Sequence, residues 1–125
     1  MVTATFHRIK GSYIAAIHGH AKFADQGQDV VCAGASMYAF GLCQCIMQMD
    51  AERKFKRPPT VKIGANGEIV VAARPKPRHE AELQHYFHMT QTGFAILKES
   101  YPEHVELKTY ELLVKEDSDK EDSPT

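Results

Sequence analysis

The stretch Val2-Thr3-Ala4-Thr5-Phe6-His7-Arg8-Ile9-Lys10-Gly11-Ser12-Tyr13-Ile14-Ala15-Ala16-Ile17-His18 decides how the rest of the chain is read. Val2, Ala4, Phe6 and Arg8 alternate with Thr3, Thr5, His7 and Ile9, the period of two of a strand with one face on a core. Lys10-Gly11-Ser12 reads as a turn. From Tyr13 to His18 the alternation resumes, with Ile14, Ala16 and His18 on one face and Tyr13, Ala15 and Ile17 on the other. Two such runs around a short glycine turn predict a β-hairpin.

Downstream of the hairpin, Gly19-His20 leaves the strand for a polar loop, Lys22 to Gln28. Asp29 suits the N-cap of a helix from Val30 to about Met49, where Val31, Ala35, Tyr38, Leu42, Ile46 and Met49 recur at helical spacing. This helix is apolar nearly all round, which predicts burial on most sides, against a sheet or a partner subunit. Asp50 to Arg57 closes it, and Pro58-Pro59 forces an extended start to the next strand. Thr60–Ile63 and Glu68–Ala73 read as short strands around Gly64-Ala65-Asn66-Gly67, with Asn66-Gly67 a hairpin turn signal. A basic connector, Arg74 to Arg78, leads to a second helix from His79 or Glu80 to about Ser100, weakened in its middle by Gly93. His104 to Val114 is a last strand. The order β-β-α-β-β-α-β predicts an α+β fold. It is a two-layer sandwich of two helices on one face of a mainly antiparallel or mixed sheet.

The 125 residues suit one domain, expected to span 1–114, with residues 115–125 an acidic disordered tail. The net charge of −1 conceals an asymmetry: Glu116 to Thr125 carries −4, leaving +3 on the body. That excludes a strongly basic nucleic-acid binder, and no direct nucleic-acid binding is expected. No unbroken run of eighteen apolar residues occurs, so no membrane span or membrane partner is expected. The N-terminus lacks the basic-then-apolar order of a secretory signal, so the expected location is cytoplasmic. Cys32, Cys43 and Cys45 are odd in number and too tightly spaced for a zinc knuckle. His79, His85 and His88 have no carboxylate motif beside them. No metal or other cofactor is expected.

The densest chemistry lies in Gly19-His20-Ala21-Lys22-Phe23-Ala24-Asp25-Gln26-Gly27-Gln28-Asp29-Val30-Val31-Cys32. With Asp29 as the cap, Cys32 sits in the first helical turn, where unpaired backbone N–H groups favour a thiolate. An imidazole leaving the preceding strand can take the thiol proton, and together these are the minimum for acyl transfer through a covalent intermediate. Asp25 and Asp29 are the acids within reach of that histidine, Asp29 being better used as a cap. The plain reading stands beside this one: a cysteine in an apolar helix is usually a small buried hydrophobe, and a histidine at a strand end often only a hydrogen-bonding cap.

Gly19-His20-Ala21, followed by Gly27-x-Asp29-x-Val31-Cys32-Ala33 and then Ser36, resembles the ribosomal-processing cysteine protease family called Prp, and the likeness runs over residues 2 to 113. The resemblance implies that Cys32 is the nucleophile and His20 the general base. It also implies that Gly19, Ala21, Gly27, Asp29, Ala33 and Ser36 shape the site. The implied activity is a cysteine endopeptidase that removes the N-terminal extension of a bacterial large-subunit ribosomal protein. The implied assembly is a homodimer, which would account for the apolar helix. Two other readings remain: a non-catalytic ribosome-associated assembly protein, or another thiol-dependent hydrolase or redox sensor using Cys32.

Overall fold

The computed structural model describes residues 1–19, 26–65 and 67–112, with the backbone alone for residues 26–29 and 112. Strands β1 (Val2–Ile9) and β2 (Ser12–His18) form the expected hairpin. Helix α1 (Gln26–Ala51) follows, then β3 (Thr60–Ile63), β4 (Ile69–Ala73), a 3₁₀ turn at Pro77–His79, helix α2 (Glu80–Ser100) and β5 (Val105–Leu112). The order of elements is the one read from the sequence. The expected tail, residues 115–125, lies outside the described residues.

The five strands form one mixed sheet in the order β3-β4-β2-β1-β5. β1 pairs antiparallel with β2 and parallel with β5; β2 and β3 both pair antiparallel with β4. The β1–β2 connection is a two-residue turn, Lys10-Gly11, both at positive φ (51° and 82°), between the paired residues Ile9 and Ser12. Such turns follow the right-handed twist of the strands they join. Arg74 secures the turn from outside, donating to Ser12 Oγ at 3.1 Å and to the Lys10 carbonyl at 2.9 Å.

Both helices lie on one face of the sheet. The period of two sends Val2, Ala4, Phe6, Tyr13, Ala15, Ile17, Ile69, Val71, Ala73 and Val105 into the core beneath them. From α1 come Val31, Ala35, Ala39, Leu42, Cys43, Ile46 and Met49; from α2, Leu83, Phe87 and Phe94. Phe6 meets the edge of Phe87 at 6.2 Å and tilts against Phe94 at 6.1 Å. Gly93, which from sequence weakens α2, is buried where α2 meets α1: any Cβ there would collide with the Tyr38 ring. The glycine permits close approach of the two helices. Lys54, just past α1, clamps the pair from the other end through Glu52 (2.7 Å) and Glu82 (2.8 Å). Lys54 and Arg74 thus both have structural partners.

Three expectations about α1 need correcting. The helix begins at Gln26, not after Asp29, so Asp29 is helical rather than a cap and Cys32 lies in the second turn. The residues Val30–Ala51 are also long and apolar enough to cross a membrane, with a mean hydropathy of 1.7. The expectation of no such segment rested on unbroken apolar runs. In this fold one side of that apolar helix packs on the sheet, while Val30, Met37, Phe40 and Met47 face outward. It is therefore not buried on most sides within one chain.

Candidate active site

Cys32 opens onto a cavity of about 310 Å³ between the N-terminal half of α1 and one end of the sheet. The sheet contributes Val2 from the start of β1, Ile17 and His18 from the end of β2, and Ile69 from β4, with Gly19 and Gly67 at the rim. The helix contributes Cys32, Ala35, Ser36, Ala39 and Phe40. Those positions are i, i+3, i+4, i+7 and i+8, one face of a helix, so the sequence period alone places them together. The walls are mainly small or apolar, which leaves room for a side chain of a bound peptide beside the thiol.

Gly19 has a structural reason to be glycine. Its φ of 80° is left-handed, and a Cβ would strike the carbonyl oxygen of Met1. The chain therefore leaves β2 closely packed against the start of β1. Val2 N–H donates to the His104 carbonyl at 2.8 Å, holding that start in place.

Of the other sequence-predicted site residues, Ser36 lies one turn beyond Cys32, exposed and in the cavity wall, and Ala33 is exposed on the outer side of α1. Gly27 and Asp29 are placed by their backbone in the first turn of α1. His20 and Ala21 lie outside the described residues. Because α1 starts at Gln26, the unpaired N–H groups of its first turn lie about one turn, roughly 5 Å, before Cys32. They do not include the N–H of Cys32, as a first-turn position would have made it. Sequence reasoning missed Phe40, His18, Val2, Ile17, Ile69 and Gly67. Phe40 was legible from its eight-residue spacing; the strand residues join only through the sheet register.

The three cysteines are chemically distinct. Cys43 is buried in the core, and burial pushes its thiol up. Cys45 is half-buried, its thiol raised first by burial and then by the nearby Glu82 carboxylate. Both are poor thiolates. Cys32 is the cysteine that reaches a cavity. Among the described residues no group of three or more His, Cys, Asp or Glu is arranged to hold a metal ion.

A second cavity, about 460 Å³, lies at the opposite end of the sheet between α2 and β5. Beside it Tyr13 donates to Glu80 at 2.7 Å and accepts from Gln84 at 2.9 Å, and Arg8 joins Glu80 to Glu111. His85 and His88 line it, with no cysteine near. It has no nucleophile comparable to Cys32.

Comparison with known proteins bears on the family and the fold. The family model described as Cysteine protease Prp matches residues 1–106. The ribosomal processing cysteine protease Prp of Bacillus subtilis (strain 168) is 32% identical over 90 residues, 66% of this chain and 76% of that protein. A crystal structure of the essential ribosomal processing protease Prp from S. aureus with a substrate peptide superposes with a TM-score of 0.66 at 22% identity. The match covers 87% of this chain and 99% of the other. SMU.848 from Streptococcus mutans superposes with a TM-score of 0.65 at 23% identity, covering 90% and 96%. At these identities the structural matches speak for the fold.

Proposed function

The chain belongs to the Prp cysteine protease family, and from that premise we propose that it is an endopeptidase that removes the N-terminal extension of a bacterial large-subunit ribosomal protein with a Cys32–His20 dyad. The observation that carries the proposal is the position of Cys32: on α1, half-buried, facing a cavity large enough for a peptide side chain. The substrate class comes from the family. The relative from Bacillus subtilis is named as a ribosomal processing protease.

In this reading His20 takes the Cys32 proton, and the thiolate attacks the scissile carbonyl carbon. The tetrahedral intermediate collapses as His20 returns the proton to the leaving amine, leaving a thioester on Cys32. Water, deprotonated by His20, attacks the thioester, and the carboxylic acid product leaves with the thiol restored. A dyad can serve because a thiol ionises far more readily than an alcohol. Ser36 borders the thiol and helps position the peptide. The enzyme works in the cytoplasm, as a homodimer, on a polypeptide rather than a nucleic acid and without a cofactor.

The test incubates the purified chain with the N-terminally extended ribosomal protein of its own source and reads products by mass spectrometry. One cut near the N-terminus is expected, lost in both Cys32→Ala and His20→Ala while circular dichroism stays unchanged. Uncut substrate with the wild type, or cutting that survives either substitution, refutes the proposal.

A further inference from the structure

Two basic stretches of the sequence, Arg53 to Arg57 and Arg74 to Arg78, are brought together by the fold. Phe55 and Pro75 form an antiparallel bridge. It is flanked by hydrogen bonds from the Lys56 N–H to the Arg74 carbonyl (2.8 Å) and from the Lys76 N–H to the Lys54 carbonyl (2.9 Å). Phe55 and Pro75 are buried, so the pleat turns Lys56, Arg74 and Lys76 away from the core. Arg53, Arg57 and Arg78 are exposed on the same two stretches. Among the described residues none of these six cations forms an ion pair. The carboxylates of Glu52 and Glu82 are both held by Lys54, and Asp50 adds one exposed carboxylate. Lys10, exposed in the β1–β2 turn that Arg74 holds, extends the patch.

We propose that this basic ribbon is the docking surface for the chain's own acidic segment, Glu116 to Asp122, which masks its charge. Residues 113–125 lie outside the described part, but the point from which they start is fixed. Leu112, at the end of β5, pairs with Ile9, next to the turn whose Lys10 carbonyl accepts from Arg74. The strand order β4-β2-β1-β5 sets β5 three spacings, about 14 Å, from β4, whose end leads into Arg74. Four residues, Leu112 to Glu116, span about 13 Å when extended. The segment beyond carries five acids against one lysine. The Cys32 cavity lies at the other end of the sheet, so the docking does not depend on how Cys32 is read.

Reach and chemistry select this occupant over other anions. A segment tethered by a few residues is present at an effective concentration in the millimolar range, which a free polyanion has to outcompete. A single-stranded nucleic acid would gain from aromatic side chains on which its bases stack. Phe55 is the only aromatic residue of the two stretches, and it is buried. An anionic membrane would gain from an apolar wedge, and neither stretch exposes a large apolar side chain. What the ribbon offers is charge alone, with Arg74 and Lys76 set against Lys56 and Lys54 across the bridge. An acidic peptide segment needs nothing more. Once it is docked, any other anion that approaches this end of the protein has to displace it.

The experiment has two arms, both on the full chain. In the first, a carbodiimide joins carboxylates to amines in contact, and mass spectrometry locates the amides in an equal mixture of ¹⁴N- and ¹⁵N-labelled protein. Cross-links from Glu116–Asp122 to Lys56, Lys76 or Lys10 are expected at low salt, within one label, and are expected to fade at molar salt. Equal yield to Lys98, near the far end of α2, or products that mix the labels, would overturn the proposal. The second arm measures binding of a fluorescent oligouridylate by anisotropy at low salt. Neutralising the segment (Glu116→Gln, Asp117→Asn, Asp119→Asn, Glu121→Gln, Asp122→Asn) should tighten binding severalfold. Adding Lys56→Gln, Lys76→Gln and Arg78→Gln should abolish that gain. A wild type that binds the oligouridylate, or phosphatidylglycerol vesicles, as tightly as the neutralised variant would show the ribbon free for another occupant and would overturn the proposal. A gain that survives the ribbon substitutions would do the same.

Discussion

Replacing Gly93 and Gly41 by alanine applies one chemical change to two helix interiors and should give opposite signs. Alanine favours a helix over glycine by about 1 kcal/mol, through a smaller loss of backbone entropy. At Gly41 nothing lies within 4 Å of the added Cβ, so Gly41→Ala should stabilise by roughly 0.5–1 kcal/mol. At Gly93 the Cβ would fall within the Tyr38 ring, which is half-buried and tilts against Phe94 at 6.2 Å. Relief needs Tyr38 to turn away or the helices to part, and overpacking of this kind costs about 1–3 kcal/mol. The net for Gly93→Ala is a loss on the order of 1–2 kcal/mol after the propensity gain. Urea unfolding, followed at several protein concentrations to separate any dimer contribution, measures both. A third variant makes the cause specific: Tyr38→Leu should shrink the penalty of Gly93→Ala, because the clash is with the ring. Gly93→Ala at least as stable as the wild type, or a penalty that persists without the Tyr38 ring, would refute the reasoning.

Gly19→Ala should lose roughly 1–2 kcal/mol from its left-handed backbone alone, and more from collision with Met1; because Gly19 leads into His20, substrate cutting should fall further than stability does, measured as kcat/KM beside the urea midpoint. Tyr13 is raised from 10.0 to about 12, chiefly by burial and then by its bond to Glu80. Its neutral form is thus favoured in the folded state: the stabilisation is complete below pH 10 and is lost as pH rises toward 12. Thermal unfolding across that range should show an alkaline decline that Tyr13→Phe flattens; an unchanged decline would mean that other groups, such as Tyr86, carry it.

Strands and helices were legible because their periods are strong. The hairpin followed from Val2 to His18 alone, and α2 starts at Glu80 and ends at Ser100, within the range its stripe predicted. The start of α1 was misplaced because Asp29 is a good cap residue in isolation; the helix extends four residues further toward the N-terminus, through Gln26-Gly27-Gln28-Asp29. Gly93 was misjudged for a related reason: local propensity counts a helical glycine as a cost, and only the position of Tyr38 shows the close packing it permits. The parallel pairing of β1 with β5 joins residues about a hundred positions apart, such as Val2 and Val105, and no short-range signal encodes it. Within the site, the α1 residues were legible from helical spacing, whereas Val2, Ile17 and Ile69 enter only through register.

The same packing argument explains why the thiol belongs on α1 and not on α2. α1 has Cys43 and Cys45 on the side turned to the core and to α2, where burial raises their thiols. Cys32 lies three helical turns earlier, where the helix passes the end of the sheet and the small residues Ala35, Ser36 and Ala39 leave a cavity between them. A larger side chain at Ala35 or Ala39 would intrude on that space. The small residues thus leave the thiol side chain facing open space.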